Sequence, residues 1–307
     1  MQANSNQGSA VKRLKRDWQL LLILLPGMLF YIIFRYGPMY GIVIAFKDYN
    51  IFEGVSKSPW VGFKYFDMFF KDPNFYKLFR NTFLIGIYSL FFTFPFPVLF
   101  AILLNEVKNV HFKKTVQTAS YLPSFLSVVV ICSMAIDFLS PNNGMINNIR
   151  AALGLEKIYY MTKPEWFRTV YIMTEIWQGT GFNAIIYIAA ITAVDPSLYE
   201  AAEIDGCSRV KKMWYITLPA IMPTIVTLFI IKSGQVFKVG YEKILLLYNP
   251  ATYEVADVFS TFVYRKGLVD LDYSYATAVG LFESVVALAL LLITNTISKK
   301  VNEQSLW

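Results

Sequence analysis

"EAAEIDGCSRVKKMWYITLP", residues Glu200 to Pro219, sets three carboxylates, a glycine and three basic side chains between two runs apolar enough to enter a bilayer. The flanking runs, about 170 to 193 and about 219 to 238, each approach the roughly 20 residues a helix needs to cross about 30 Å of hydrocarbon. A charged stretch between two such runs is a loop at a membrane face. The fold is therefore read by counting spans outward from it.

Of 307 residues, 56% are hydrophobic and only 16% charged, which takes the chain out of the soluble class. Six stretches are long and apolar enough to span: about 18 to 46, 80 to 104, 116 to 139, 170 to 193, 219 to 238 and 276 to 298. The expected fold is an all-α integral membrane protein with six transmembrane helices. A membrane domain over 18–298 lies between an N-terminal segment, 1–17, and a tail, 299–307. The first run, "WQLLLILLPGMLFYIIF", continues through bulky side chains and reads as a retained span rather than a cleaved leader. Gly37 and Pro38 are expected to bend it near one end.

Orientation follows from the basic clusters. Lys12 to Arg16, then Lys108, Lys113 and Lys114, then Arg209, Lys211 and Lys212, and finally Lys299 and Lys300 all fall on one side. That side is expected to be the cytoplasm, with both termini and the 195–219 loop inside. The net charge of +7 is spread over these clusters rather than gathered in one stripe, so no nucleic-acid partner is expected. The outer loops, about 47 to 79, 140 to 169 and 239 to 275, are rich in Tyr, Phe, Asn and Pro and are expected to form short interfacial helices and turns. No G-x-x-x-x-G-K-[ST] loop occurs, so any nucleotide must be hydrolysed elsewhere. His111 has no ligand-spaced companions, which leaves no metal site. Cys132 and Cys207 do not form a disulfide framework.

Within the inner loop, "DPSLYEAAEIDG" starts a helix at Asp195, places Pro196 in its first turn and stops it at Gly206. Leu198, Ala201, Ala202 and Ile204 lie toward one side, and Glu200 and Glu203 toward another. A helix resting on lipid would favour bulky apolar and basic side chains. This one is acidic with alanines at its centre, which suits insertion into a protein groove.

The order Glu200-Ala201-Ala202, three residues, Gly206, nine residues, Ile216, one residue, Leu218-Pro219 matches without departure the EAA-x3-G-x9-I-x-L-P signature of membrane subunits of binding-protein-dependent ABC importers. The stretches "RNTFLIGIYSLFFTFPFPVLFAILLNE", "ASYLPSFLSVVV", "WQGTGFNAIIYIAAI" and "LLLYNPATYEVADVFSTFVYRKGL" resemble the LplB-type branch of carbohydrate permeases. The resemblance implies a type I ABC importer permease fold with a cytoplasmic coupling helix. Glu200, Ala201, Ala202, Glu203, Asp205, Gly206, Ile216, Leu218 and Pro219 would then couple to a separate ATPase. It further implies two cytoplasmic ATPase subunits carrying ATP and Mg, a second permease subunit in a heterodimer, an extracellular solute-binding protein, an oligosaccharide substrate and a bacterial plasma membrane. The chain itself would be no enzyme and would hold no cofactor.

Charged and polar groups within spans are functional candidates. Arg35 can snorkel to the outer headgroups. Lys232 and Glu283 come to similar depth on adjacent spans, so an ion pair is expected, with two groups facing one aqueous cavity as the alternative. Sugar rings present apolar C–H faces and hydroxyls, so a pathway for them needs flat aromatics beside neutral amides. Trp177, Gln178, Asn183 and Tyr187 on the fourth span, with Tyr88 and Gln235, supply those types. Interhelical hydrogen bonding explains each of them equally well, as it does Asn81, Asp137 and Glu175. No basic cluster is evident at mid-membrane, which argues against an anionic solute. An importer of another solute such as a peptide, a membrane-embedded enzyme, and a channel or secondary transporter are the competing readings.

Overall fold

The computed structural model describes residues 16–302. Lys12 to Lys15 of the expected N-terminal basic cluster and residues 303–307 of the tail lie outside the described residues. Among those described there is no strand, only an isolated bridge between Lys47 and Trp60. The architecture is all-helical, as expected of a membrane-spanning chain.

In chain order the principal helices are α1 (Trp18–Phe46), α2 (Phe75–Asn105), α3 (Val110–Phe125), α4 (Val128–Leu139), α5 (Pro164–Thr192), α6 (Pro196–Ile204), α7 (Arg209–Ser233), α8 (Tyr241–Leu247) and α9 (Tyr273–Lys300). By length and composition α1, α2, α7 and α9 can each cross a membrane, and counting the bent pairs α3–α4 and α5–α6 as one span each gives up to six. The α3–α4 bend of 103° falls where Pro123 opens a tight turn, Leu122–Phe125, and the Ser127 hydroxyl caps the Val130 N–H. The α5–α6 bend of 71° carries the chain from the bundle into the loop helix.

The fifth span is shorter than its apolar run. α7 stops at Ser233, residues 234–240 turn, and the chain folds back into α8. Gly86 on α2 lets this turn approach: a Cβ there would sit 1.8 Å from the Val236 carbonyl oxygen. Only a hydrogen fits, so the turn packs backbone against helix. This segment continues through Tyr253–Ala256 and Phe259–Tyr264, burying Ile244, Leu247, Val258 and Phe259.

Three apolar clusters hold the bundle together. One gathers Phe69, Phe237, Phe259 and Val279, a second Ile85, Cys132, Phe167 and Ile244, and a third Val98, Ala101, Ala184 and Ile221. Lipid is as apolar as these side chains, so the gain lies in close contact and satisfied polar groups rather than in escape from water. α1 stands apart: its residues up to Tyr40 are exposed, and only its last turns, about Ala45, pack on α9.

Candidate functional site

The loop helix α6 is built by its ends. The Asp195 carboxylate accepts the Ser197 N–H at 2.9 Å, which holds that carboxyl below the usual range, and Pro196 needs no partner in the first turn. At the other end Gly206 takes φ +69°, its N–H donates to the Glu203 carbonyl at 3.1 Å, and the Cys207 N–H donates to the Ala202 carbonyl at 2.9 Å. This paired closure satisfies the last carbonyls and requires the left-handed residue that glycine supplies. A Cβ at Gly206 would meet nothing within 4 Å, so backbone conformation rather than space demands it.

Two side-chain contacts fix α6 to the start of α7. Glu203 accepts from the Lys212 ammonium at 2.6 Å, and that partner lowers the Glu203 carboxyl below its ordinary range. The Tyr199 and Thr217 hydroxyls share a hydrogen bond of 3.0 Å, with Thr217 buried. Glu200, Ala201, Ile204 and Asp205 stay exposed, Ile204 at 88%, while Ala202 is half-buried. Ile216 is half-buried, Leu218 packs on the third apolar cluster and Pro219 sits in the first turn of the straight part of α7. Tyr199, Lys212 and Thr217 are structural parts of this device that the motif alone does not name.

Two cavities lie between α2, α5 and α7. The larger, about 430 Å³, is lined by Ser89, Glu175, Gln178, Lys238 and Lys243 among others. The smaller, about 200 Å³ and nearer α6, is lined by Asn183, Tyr187, Leu228 and Ile231. Thr93, Phe94, Lys232 and Gln235 line both, so the two are stacked chambers with a common neck. The α2 part of the neck is a weakened turn: Pro95 and Pro97 offer no N–H, and the Thr93 hydroxyl donates back to the Ser89 carbonyl at 2.7 Å.

The larger chamber carries a buried ion pair. The Lys243 ammonium, on α8, donates to the Glu175 carboxylate and, at 2.9 Å, to the Gln178 amide oxygen, both on α5. Its side chain is 7% exposed and lies over the Tyr171 ring. The pair pins the folded-back segment to α5.

Of the sequence candidates, Gln178, Gln235, Asn183 and Tyr187 come together on these walls, Tyr187 buried with its ring edge-on to Phe94. Trp177 points the other way, into an apolar groove between α4 and α5, because one residue along a helix turns the side chain by about 100°. Tyr88 is exposed with its ring on Phe92 and lines neither chamber. The expected Lys232–Glu283 ion pair does not form among the described residues. Lys232 faces the chambers, while Glu283 on α9 lines neither of them. Matching depth was the basis of that expectation, and depth does not fix the rotation of a helix about its axis.

The absence of a basic cluster is also corrected. Lys232, Lys238 and Lys243 all line the larger chamber, because α7 ends early and the fold-back returns two lysines assigned to the end of a span and an outer loop. The signal was "YEKILLL", where Lys243 follows Glu242 and leads into an apolar run.

The model of the binding-protein-dependent transport system inner membrane component family matches residues 68–303. The polygalacturonan/rhamnogalacturonan transport system permease protein YteP of Bacillus subtilis (strain 168) is 46% identical over 94% of this chain and 90% of its own length. Protein LplB of the same organism is 44% identical over 96% of this chain and 92% of its own. Among solved structures, a chain of a bacterial ABC transporter involved in import of the acidic polysaccharide alginate superposes with a TM-score of 0.87 at 43% identity, covering 96% of this chain and 99% of that one. A structure of the bacterial alginate transporter in complex with its alginate pentasaccharide-bound periplasmic protein matches equally well.

Proposed function

We infer that this chain, which belongs to the binding-protein-dependent transport system inner membrane components, is the permease subunit of an ABC importer of oligosaccharides. The observation that carries the reading is a continuous lever. α6 presents an exposed acidic face, Glu203–Lys212 and Tyr199–Thr217 clip it to α7, and α7 runs on to Lys232 at the neck of the two chambers. A pull on the loop helix therefore moves a wall of the cavity.

In this account α6 seats in a cleft of a cytoplasmic ATPase, one of two that bind and hydrolyse ATP with Mg. Glu200, Ala201, Ala202 and Asp205 would meet that cleft, Gly206 would fix the angle between α6 and α7, and Ile216, Leu218 and Pro219 would root the lever in the bundle. A second, different permease subunit would complete the pathway, and rigid-body rocking of the two halves would expose the chambers to each side in turn. Both termini and α6 would be cytoplasmic, with the membrane domain over 18–298 crossing six times.

The relatives support a saccharide: one is named for polygalacturonan and rhamnogalacturonan transport, and the solved neighbour imports alginate. The chamber walls support it chemically. Gln178, Gln235 and Asn183 offer amides to sugar hydroxyls, and Phe94 and Tyr187 offer aromatic faces to C–H surfaces. An extracellular solute-binding protein, as in the alginate-bound neighbour, would deliver the sugar at the outer helices.

Purification of the intact complex into lipid nanodiscs tests the reading. A glycan-loaded binding protein should stimulate ATP hydrolysis. Stimulation by a peptide-loaded protein and by no glycan-loaded one would remove the substrate class.

A further inference from the structure

The smaller chamber has one charge on its wall, the Lys232 ammonium, and no carboxylate. None of the ion pairs among the described residues includes Lys232. Lys232 is exposed along the chamber walls, whereas Lys243 is neutralised by Glu175 and the half-exposed Arg265 by a two-pronged bond to Asp257 at 2.8 and 3.1 Å; the half-buried Arg168 donates to the neutral Asn81 amide oxygen at 3.0 Å. In the larger chamber, once Lys243 and Glu175 cancel, Lys232 and Lys238 face a single remaining carboxylate, Glu242. The pathway is therefore net cationic, and its neck is purely so.

A lone ammonium at membrane depth is costly, and structural lysines there find partners. The C-terminal end of α7 favours a cation in its last turn, which offsets only part of that cost. Snorkelling does not account for the position either, since the side chain opens onto both chambers rather than onto a membrane face. What remains is a charge kept for a counter-charge that arrives and leaves. A lysine suits this better than an arginine, because it makes a point-charge contact without the two-pronged grip that would hold an anion too long.

We propose that Lys232 is the charge-selecting residue of the pathway and that the oligosaccharide is anionic. Its acidic units pass from the larger to the smaller chamber by pairing with Lys232, while Thr93, Asn183 and Gln235 exchange hydrogen bonds with its hydroxyls. The proposal rests on the importer reading above and adds to it the charge of the solute and the residue that senses it.

The test is ATP-driven uptake by the complete complex in proteoliposomes, with matched panels of uronate and neutral oligosaccharides. Wild type should import a uronate oligomer. Lys232→Gln should lower kcat/KM for that oligomer by about 10-fold or more, whereas Lys232→Arg should keep it within about 3-fold. Both variant complexes should assemble with their ATPases and unfold at the wild-type temperature in nanodiscs, which separates charge selection from damage to the fold. Wild-type import of neutral oligomers alone overturns the proposal and leaves the importer reading standing. Import of no saccharide in either panel overturns both. Undiminished uronate uptake by Lys232→Gln, or equal loss in the Gln and Arg variants, also overturns it.

Discussion

Glu203 and Lys212 meet at 2.6 Å across the turn that Gly206 makes, so a salt bridge joins the exposed loop helix to the first turn of α7. Lys212 is largely covered while Glu203 faces solvent, which leaves the pair accessible to reversal without disturbing the core. Glu203→Lys alone and Lys212→Glu alone should each lower the ratio of sugar imported to ATP hydrolysed. The double reversal should recover most of it. If the double variant is as uncoupled as the singles, the clip does not transmit force.

The same pair fixes a pH dependence. Lys212 holds the Glu203 carboxyl below its ordinary value, so the stabilisation it contributes is complete above the unfolded-state value and is lost only as pH falls through the lower folded value. Between about pH 6 and pH 8 both values are passed, and the transport-to-hydrolysis ratio should be flat. A fall in that ratio on moving from pH 8 to pH 6 would place the sensitive group elsewhere.

Gly206→Val forces a β-branched side chain into φ +69°, a conformation that costs L-residues roughly 1–2 kcal/mol. Insertion into the membrane should survive, while ATP-driven uptake falls by about 10-fold. Gly206→Asn, which tolerates the left-handed region, should retain most of the uptake. Equal loss in both variants would point to a contact made by the glycine surface rather than to its backbone.

Gly86 offers a steric counterpart. A Cβ there would lie 1.8 Å from the Val236 carbonyl oxygen, so Gly86→Ala must push the 234–240 turn off α2. Purified protein should lose thermal stability and the complex should lose transport. Gly27→Ala, where nothing lies within 4 Å, should change neither.

Arg265 and Asp257 make a two-pronged ion pair in the segment that follows α8, with the Asp257 side chain 7% exposed. Arg265→Met strands a buried carboxylate and should destabilise the segment after α8 by about 2–3 kcal/mol, a little less than a fully buried pair because Arg265 is partly exposed. Arg265→Met with Asp257→Asn should recover part of that loss. Thermal unfolding in nanodiscs reads both.

The loop helix was legible because its signals are local: a capping aspartate, a proline in the first turn, a stopping glycine and a fixed interval to Leu218-Pro219. Of the six expected spans, α1, α2, α7 and α9 are single helices long and apolar enough to cross a membrane, and six is reached only by counting each bent pair as one span. The fold-back after Ser233 was less legible: Gly234, Gln235, Lys238 and Gly240 interrupt residues 234–240, but Val236, Phe237 and Val239 among them extend the apolar pattern, and the close packing of the turn on Gly86 is a tertiary contact. Lys243 was hidden for that reason. Trp177 and Gln178 are adjacent in sequence yet line different cavities, and Lys232 and Glu283 share a depth without meeting, because helix rotation is set by packing partners that one sequence does not name.

The central claim is that motion of α6 reaches the neck of the chambers through α7. Its most direct measurement is the reactivity of Gln235→Cys toward a membrane-impermeant thiol reagent added from outside, in the intact complex, with Cys132 and Cys207 replaced by serine. Trapping the ATPases in their ATP-bound state should raise that reactivity, and Gly206→Val should abolish the rise. Reactivity that ignores nucleotide, or a full response to nucleotide in the Gly206→Val complex, would contradict the account.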